Sequence, residues 1–97
     1  MNELTFEWDE RKAIINERKH GVSFEEASEA FYDNLARIIY DPEHSLGEDR
    51  YILIGISDSR RLLIVCHLYR ENDAIIRIIS ARLANPKEHQ QYQNFLP

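Results

Sequence analysis

The chain has 97 residues, a net charge of −5, 43% hydrophobic and 30% charged residues, and one cysteine; this composition allows one modest core and excludes a disulfide-stapled or disordered protein. The longest unbroken apolar run, Leu62 to Cys66, is far too short to cross a bilayer, and the acidic start MNELTFEWDE is unlike a basic, apolar leader. A single domain over 1–97 in the cytoplasm, with no membrane partner, is expected. The charge is uneven: residues 1–49 carry 5 Lys and Arg against 13 Asp and Glu, and residues 50–97 carry 7 against 4, so an acidic half and a basic half can face different partners.

Phe6 and Trp8 lead into Asp9, whose carboxylate is placed to cap a helix running to about His20, with Gly21 positioned as its left-handed C-terminal residue. Ser23 and Glu26 have capping-box spacing, with Val22 and Ala27 as the staple pair, and a second helix turns Phe24, Ala27, Ala30 and Phe31 inward. Leu35 to Tyr40 is β-branched and aromatic and is closed by Asp41-Pro42, which predicts a strand. DPEHSLGED reads as a polar loop. Arg50 to Ser57, Arg61 to Tyr69 and Ala74 to Arg82 then read as strands joined by tight turns at 58–60 and 70–73. Asn85-Pro86 with Glu88 reads as cap, first-turn proline and capping-box acid of a third helix through about Asn94. The expected architecture is α+β: two N-terminal helices, a four-stranded antiparallel meander sheet and a C-terminal helix. The first two helices cover one face only, so the third helix or a bound partner has to shield much of the other.

Alternate strand residues share a face, which sets His67 with Leu63, Val65 and Tyr69 and turns Cys66 the opposite way, against a Cys-His nucleophilic pair. A three-residue turn places His67 opposite Arg77 and a four-residue turn places it opposite Ile76; the sequence leaves both open. His67 reads either as a proton carrier near neutral pH or as a half-buried ring bonded to a backbone carbonyl. Arg77 reads as a phosphate clamp or as the partner of an acid such as Glu48. Lys19 and His20 suit a helix C-terminus with or without a further role, and Arg82 at a strand end reads as a phosphate contact or a solvated charge. Cys66 reads as a packing residue. No metal is expected, because the four histidines show neither i, i+4 pairs nor CxxC partners, and the three glycines form no phosphate loop.

Taken together, FEWDERKAIINERKHGVSFEEASEAFYD, DPEHSLGEDRYILIGIS, RLLIVCH and IIRIISAR strongly resemble the BrnT family of toxins from bacterial type II toxin-antitoxin systems, from Phe6 to about Tyr92. The selective blocks are the E-W-D start, the K-H-G-V-S-F-E-E-A helix junction, the H-S-x-G-E-x-R loop and the I-R-I-I-S-A-R strand. The resemblance implies a RelE-like fold and a ribonuclease that cuts RNA without metal or cofactor, halting translation and growth. It implies a BrnA-like antitoxin as partner, with DNA reached only through that antitoxin. It puts His67, Lys19, His20, Arg50 and Arg77 in the catalytic set, with His67 as first proton carrier, and Arg82, Trp8 and Arg70 in the RNA-binding set; Trp8 reads otherwise as packing against the first helix. The alternative is a binding module without catalysis, an inactive relative held by an antitoxin as co-repressor or a protein interaction domain, which the acidic half suits as well.

Overall fold

The computed structural model describes residues 3–97; Met1 and Asn2, at the head of the acidic start, lie outside the described residues. A short first strand, β1 (Thr5–Glu7), precedes helix α1 (Glu10–His20). Asp9 accepts a hydrogen bond from the Lys12 amide at 3.0 Å, and Gly21, at φ 70°, closes the helix by donating to the Glu17 carbonyl at 2.8 Å. Helix α2 (Phe24–Glu29) starts at Ser23, which accepts from the Glu26 amide, and ends in a 3-10 turn, Ala30–Tyr32. The expected capping box is only half built. The Glu26 carboxylate instead takes Arg61 in a two-pronged ion pair and accepts from the hydroxyls of Ser57 and Ser59, both at 2.8 Å. A guanidinium is a stronger partner for it than a helix-end amide.

Strands β2 (Arg37–Tyr40), β3 (Tyr51–Ile56), β4 (Leu62–Arg70) and β5 (Ile75–Leu83) form the expected antiparallel meander. The sheet nevertheless has five strands, in the order β1-β5-β4-β3-β2, because β1 pairs in parallel with β5 at the edge. Three residues are too few to display a period of two, and their partner lies about seventy positions away, so no local pattern announces this strand. Neither expected register for His67 is adopted. The last turn is residues 71–74, with Glu71, Asn72 and Asp73 all at positive φ, and it sets Arg70 opposite Ile75 and His67 opposite Ile78. Between Cys66 and His67 the ladder shifts, since Cys66 pairs with Ser80, leaving Ile79 as an extra, bulged residue.

One sheet face, carrying Leu53, Leu63, Val65, Ile78 and Ala81, packs against Ala13, Val22, Phe24, Ala27 and Ala30 from the helical layer. Each large apolar side chain fully buried there contributes about 1.5–3 kcal/mol. Gly55 lets the layers meet: a Cβ there would stand 2.8 Å from the Ala30 carbonyl oxygen. The buried Asn16 of α1 donates to the carbonyls of Val22 (3.0 Å) and Ala81 (2.8 Å) and accepts from the Ala81 amide at 3.1 Å, which ties α1 to β5.

On the opposite face, Ile54, Leu62 and Ile64 pack with Tyr92 of α3 (Pro86–Phe95). Asn85 and Glu88 form the expected reciprocal capping box. Tyr92 donates to Asp33 at 2.6 Å. Burial works to raise the Asp33 pKa, but its three donors, Tyr92 and the amides of Ile56 and Leu35, outweigh that and leave it lowered. Tyr92, by burial and then by its bond to Asp33, is pushed up to about 12. No helix among the described residues is long and apolar enough to cross a membrane.

The Arg61 bond holds Glu26 down from its ordinary 4.5 to about 2, against burial that acts the other way. The stability it supplies is therefore complete above pH 4.5 and is lost as pH falls toward 2. Glu26→Gln is expected to cost about 2 kcal/mol at pH 7, with the gap to the parent narrowing below pH 4.5. Urea melts across pH 2–7 check this, and a gap independent of pH would contradict it.

Candidate active site

Helix α3 does not cover the whole second sheet face. Beyond it lies an open cleft of about 240 Å³ whose walls include His20, Asp41, His44, Arg50, Cys66 and Arg82. Five of these come from three elements: the end of α1, the loop from Asp41 to Arg50, and β5; the sixth, Cys66, is on β4.

His20 follows Asn16 by four residues and so shares its side of α1. The Asn16 bonds to Ala81 therefore fix where His20 stands, beside the strand that also carries Arg82. The loop is closed at its base: the Asp41 amide donates to the Arg50 carbonyl at 2.9 Å, while the Ser45 hydroxyl donates to the Asp41 carbonyl (2.5 Å) and accepts from the Arg50 amide (2.9 Å). Inside it Pro42–His44 makes a 3-10 turn, in which residues three apart eclipse. That turn brings the His44 Nδ1 to 2.7 Å from the carboxylate of Asp41, which is 7% exposed. An ionised carboxylate only accepts, so Nδ1 is the donor of this pair and Nε2 is left out of it. Arg50 takes part in none of the ion pairs among the described residues. Arg82 points to the same face as its ladder partner Ile64 and forks onto both Glu88 oxygens at 2.8 and 2.9 Å. That bond raises the Arg82 pKa and lowers that of Glu88.

The arrangement can carry an anion between Arg50 and Arg82 and offers two imidazoles, from α1 and from the loop at 41–50, for proton transfer. Cys66 lines this cleft rather than being a pure packing residue. Its thiol is pushed up by burial more than nearby Arg50 pulls it down, which leaves it the neutral thiol.

Of the residues singled out from sequence, His20, Arg50 and Arg82 meet in this cleft, and Lys19 lines a shallow depression that shares His20 and Ser80 with it. His67 does not. Its ring is 0% exposed, on the helix side, packed edge-on against Phe31 and Tyr69 and near Tyr51. Nδ1 donates to the Val65 carbonyl at 3.1 Å, which leaves Nε2 to accept from the Tyr69 hydroxyl at 3.2 Å. Arg77 and Arg70 also stand apart: Arg77 pairs with Glu7 of β1 at 2.8 Å, not with Glu48, and Arg70 reaches Glu7 and Glu48 at 3.4 and 3.6 Å. Trp8 packs edge-on to Phe24 and donates to Glu10 at 3.0 Å.

Sequence reasoning missed His44, Asp41 and Lys12, the last a wall of the depression beside Lys19. The signal for the first two was present, since Asp-Pro-x-His spaces a carboxylate and an imidazole by one 3-10 turn. DPEH read as polar loop hid it.

Three comparisons with known proteins bear on this site. The family model of ribonuclease toxins, BrnT, of type II toxin-antitoxin systems matches residues 8–88. Among solved structures, the crystal structure of the ribonuclease toxin BrnT of Brucella abortus superposes with a TM-score of 0.65 at 21% identity, covering 86% of this chain and 99% of that one; such a likeness speaks for the fold. No curated protein matches the chain significantly.

Burial pushes the His67 pKa down, against the Val65 bond that works to raise it. The folded chain therefore refuses a proton that the unfolded chain takes near pH 6.5, and the stability tied to this ring is full above that pH and declines below it. His67→Gln is expected to cost about 1–3 kcal/mol at pH 8 and to flatten the stability profile between pH 6.5 and 5, while any RNA cleavage per folded molecule stays within a few-fold of the parent. Thermal melts and single-turnover rates check this; a hundredfold rate loss in folded His67→Gln would make the ring part of the chemistry.

Proposed function

The chain belongs to the BrnT ribonuclease toxins of type II toxin-antitoxin systems, and from that premise we propose that it is a metal-independent endoribonuclease whose reaction runs in the cleft walled by His20, His44, Arg50 and Arg82. The observation that supports this most is the His44-Asp41 pair, an imidazole held by a buried carboxylate at a cleft whose Arg50 is in no ion pair among the described residues.

RNA carries its own nucleophile, the ribose 2′-hydroxyl, so cleavage needs a base, an acid and cations around the phosphate rather than a protein nucleophile. His44 Nε2 takes the 2′-hydroxyl proton as the 2′-oxygen bonds to phosphorus. Asp41 holds the ring and balances the charge that the ring acquires. The bond from phosphorus to the 5′-oxygen breaks, and His20 returns a proton to the leaving oxygen. His20 stands at the carbonyl end of α1, where a positive charge is welcome. Arg50 and Arg82 hold the phosphate oxygens as negative charge builds, and Lys12 and Lys19 extend the cationic rim along α1. The products are a 2′,3′-cyclic phosphate and a 5′-hydroxyl.

Toxins of this class are paired with an antitoxin. Here the partner is a BrnA-like DNA-binding antitoxin, so that DNA is met only through it, and the toxin acts in the cytoplasm, where cleaved RNA stops translation and growth. A basic partner segment finds its complement in the acidic first half of the chain.

Purified protein is expected to cleave RNA in EDTA and leave cyclic phosphate ends. His44→Gln and His20→Gln should each lower the single-turnover rate by about 10²–10⁴-fold without unfolding the chain, and Arg50→Ala should weaken RNA binding and reduce its salt dependence by about one phosphate contact. Intact RNA with folded parent protein, or full rates in both histidine variants, would remove the proposal.

A further inference from the structure

The phosphate cleft has a neighbour. Between β2, β3, β4 and α3 lies a groove of about 150 Å³, and Ile52, Ile64 and Arg82 line both spaces. Its surface is aliphatic and aromatic, with Ile39, Ile54 and Phe95 added to the shared isoleucines; Arg37, Gln91 and the Glu88 carboxylate, which Arg82 holds, bring polar groups to its wall. Ile39 is 61% exposed on an edge strand. The Arg37 guanidinium lies 4.8 Å over the Phe95 ring.

We infer that this groove seats one unpaired nucleobase of the RNA whose phosphate occupies the adjoining cleft; the inference rests on the ribonuclease reading and adds to it the part of the substrate that decides where the chain cuts. Continuity names the occupant: a phosphodiester held by Arg82 carries its nearest bases within reach of a groove that Arg82 also walls. Size agrees, because pockets for whole small molecules begin near ~300 Å³, and half of that suits one planar ring and not an entire nucleotide. The chemistry agrees as well. Single-stranded RNA is gripped by splaying a base onto aromatic rings and guanidinium planes and bonding its polar edge, and Phe95, Arg37 and the Gln91 amide supply those three elements. A paired base in a duplex cannot enter, so the site selects single-stranded segments.

Calorimetric titration of the folded protein with ribose 5-phosphate and with the four nucleoside 3′-monophosphates separates the two claims. Nucleotides are expected to bind roughly 5- to 150-fold tighter than ribose 5-phosphate, the range that stacking one base supplies. Phe95→Ala and Ile39→Ser should each remove most of that advantage while leaving ribose 5-phosphate affinity unchanged; because Ile39 is largely exposed, its replacement answers the question even where Phe95→Ala loosens α3. Gln91→Ala should alter the ranking of the four bases. Equal affinity for nucleotide and ribose phosphate, or a base advantage that survives both Phe95→Ala and Ile39→Ser, overturns the base site and leaves the phosphate cleft standing. Failure of every probe to bind overturns both.

Discussion

A single buried amide, Asn16, sets the geometry of the whole cationic side. Its side chain behaves like one more residue of a strand, giving and receiving a hydrogen bond with the Ala81 backbone, and its second N–H goes to the Val22 carbonyl just past the helix end. Both of its N–H groups and its carbonyl oxygen are bonded, so the pairing is specific as well as favourable. Helix α1 is thereby locked in rotation and in height against β5. One turn later that rotation delivers His20 to the cleft, and one residue past Ala81 the strand delivers Arg82. An aliphatic contact at position 16 would hold the helix as tightly but would not specify which turn faces the strand.

The acidic balance of the chain and its cationic cleft are compatible because several of the acids are already spoken for. Glu26 is committed to Arg61, Glu7 to Arg77 and Arg70, and Glu88 to Arg82. Asp33 is spent on Tyr92 and two backbone amides, and Asp41 on His44. Several of these pairs are partly exposed and are worth little as stability on their own; their effect is to decide where positive charge is left uncompensated. Arg50, tethered through its backbone to the loop and in no ion pair among the described residues, is the arginine of the cleft left uncompensated. An anion arriving at Arg82 meets a guanidinium already oriented by Glu88 and shares it with that carboxylate.

Most of the architecture was legible in the residues. Asp9, Gly21, Ser23 and the Asn85-Glu88 pair mark helix ends by local chemistry, and the near-continuous apolar run in Leu62 to Tyr69 marks a strand covered on both faces. What escaped was non-local: β1 has only its distant partner to make it a strand, and Glu26 leaves its helix for Arg61, thirty-five positions on. The site was half legible for the same reason. Periodicity placed His67 on the face with Leu63 and Val65, as found, but periodicity cannot say which of two apolar faces is covered more completely. His20, Arg50 and Arg82 were recognised as charges needing a purpose, whereas His44 sat in a loop whose 3-10 turn carries no apolar pattern to draw attention.

The extra residue at Ile79 has a consequence of its own. Arg77 and Arg82 are five apart, and in an unbroken pleat an odd separation sends two side chains to opposite sides. The bulge restores agreement, so that Leu68 and Ile64, the ladder partners of the two arginines, lie on one side of the sheet and both guanidiniums follow them. Remove one residue there and the strand ahead of it falls out of frame: Ile76 and Ile78 would be driven into water and a guanidinium into the oily layer beneath the helices. This position therefore tolerates substitution far better than deletion, and chain length, more than side-chain identity, is what the fold is counting at that point.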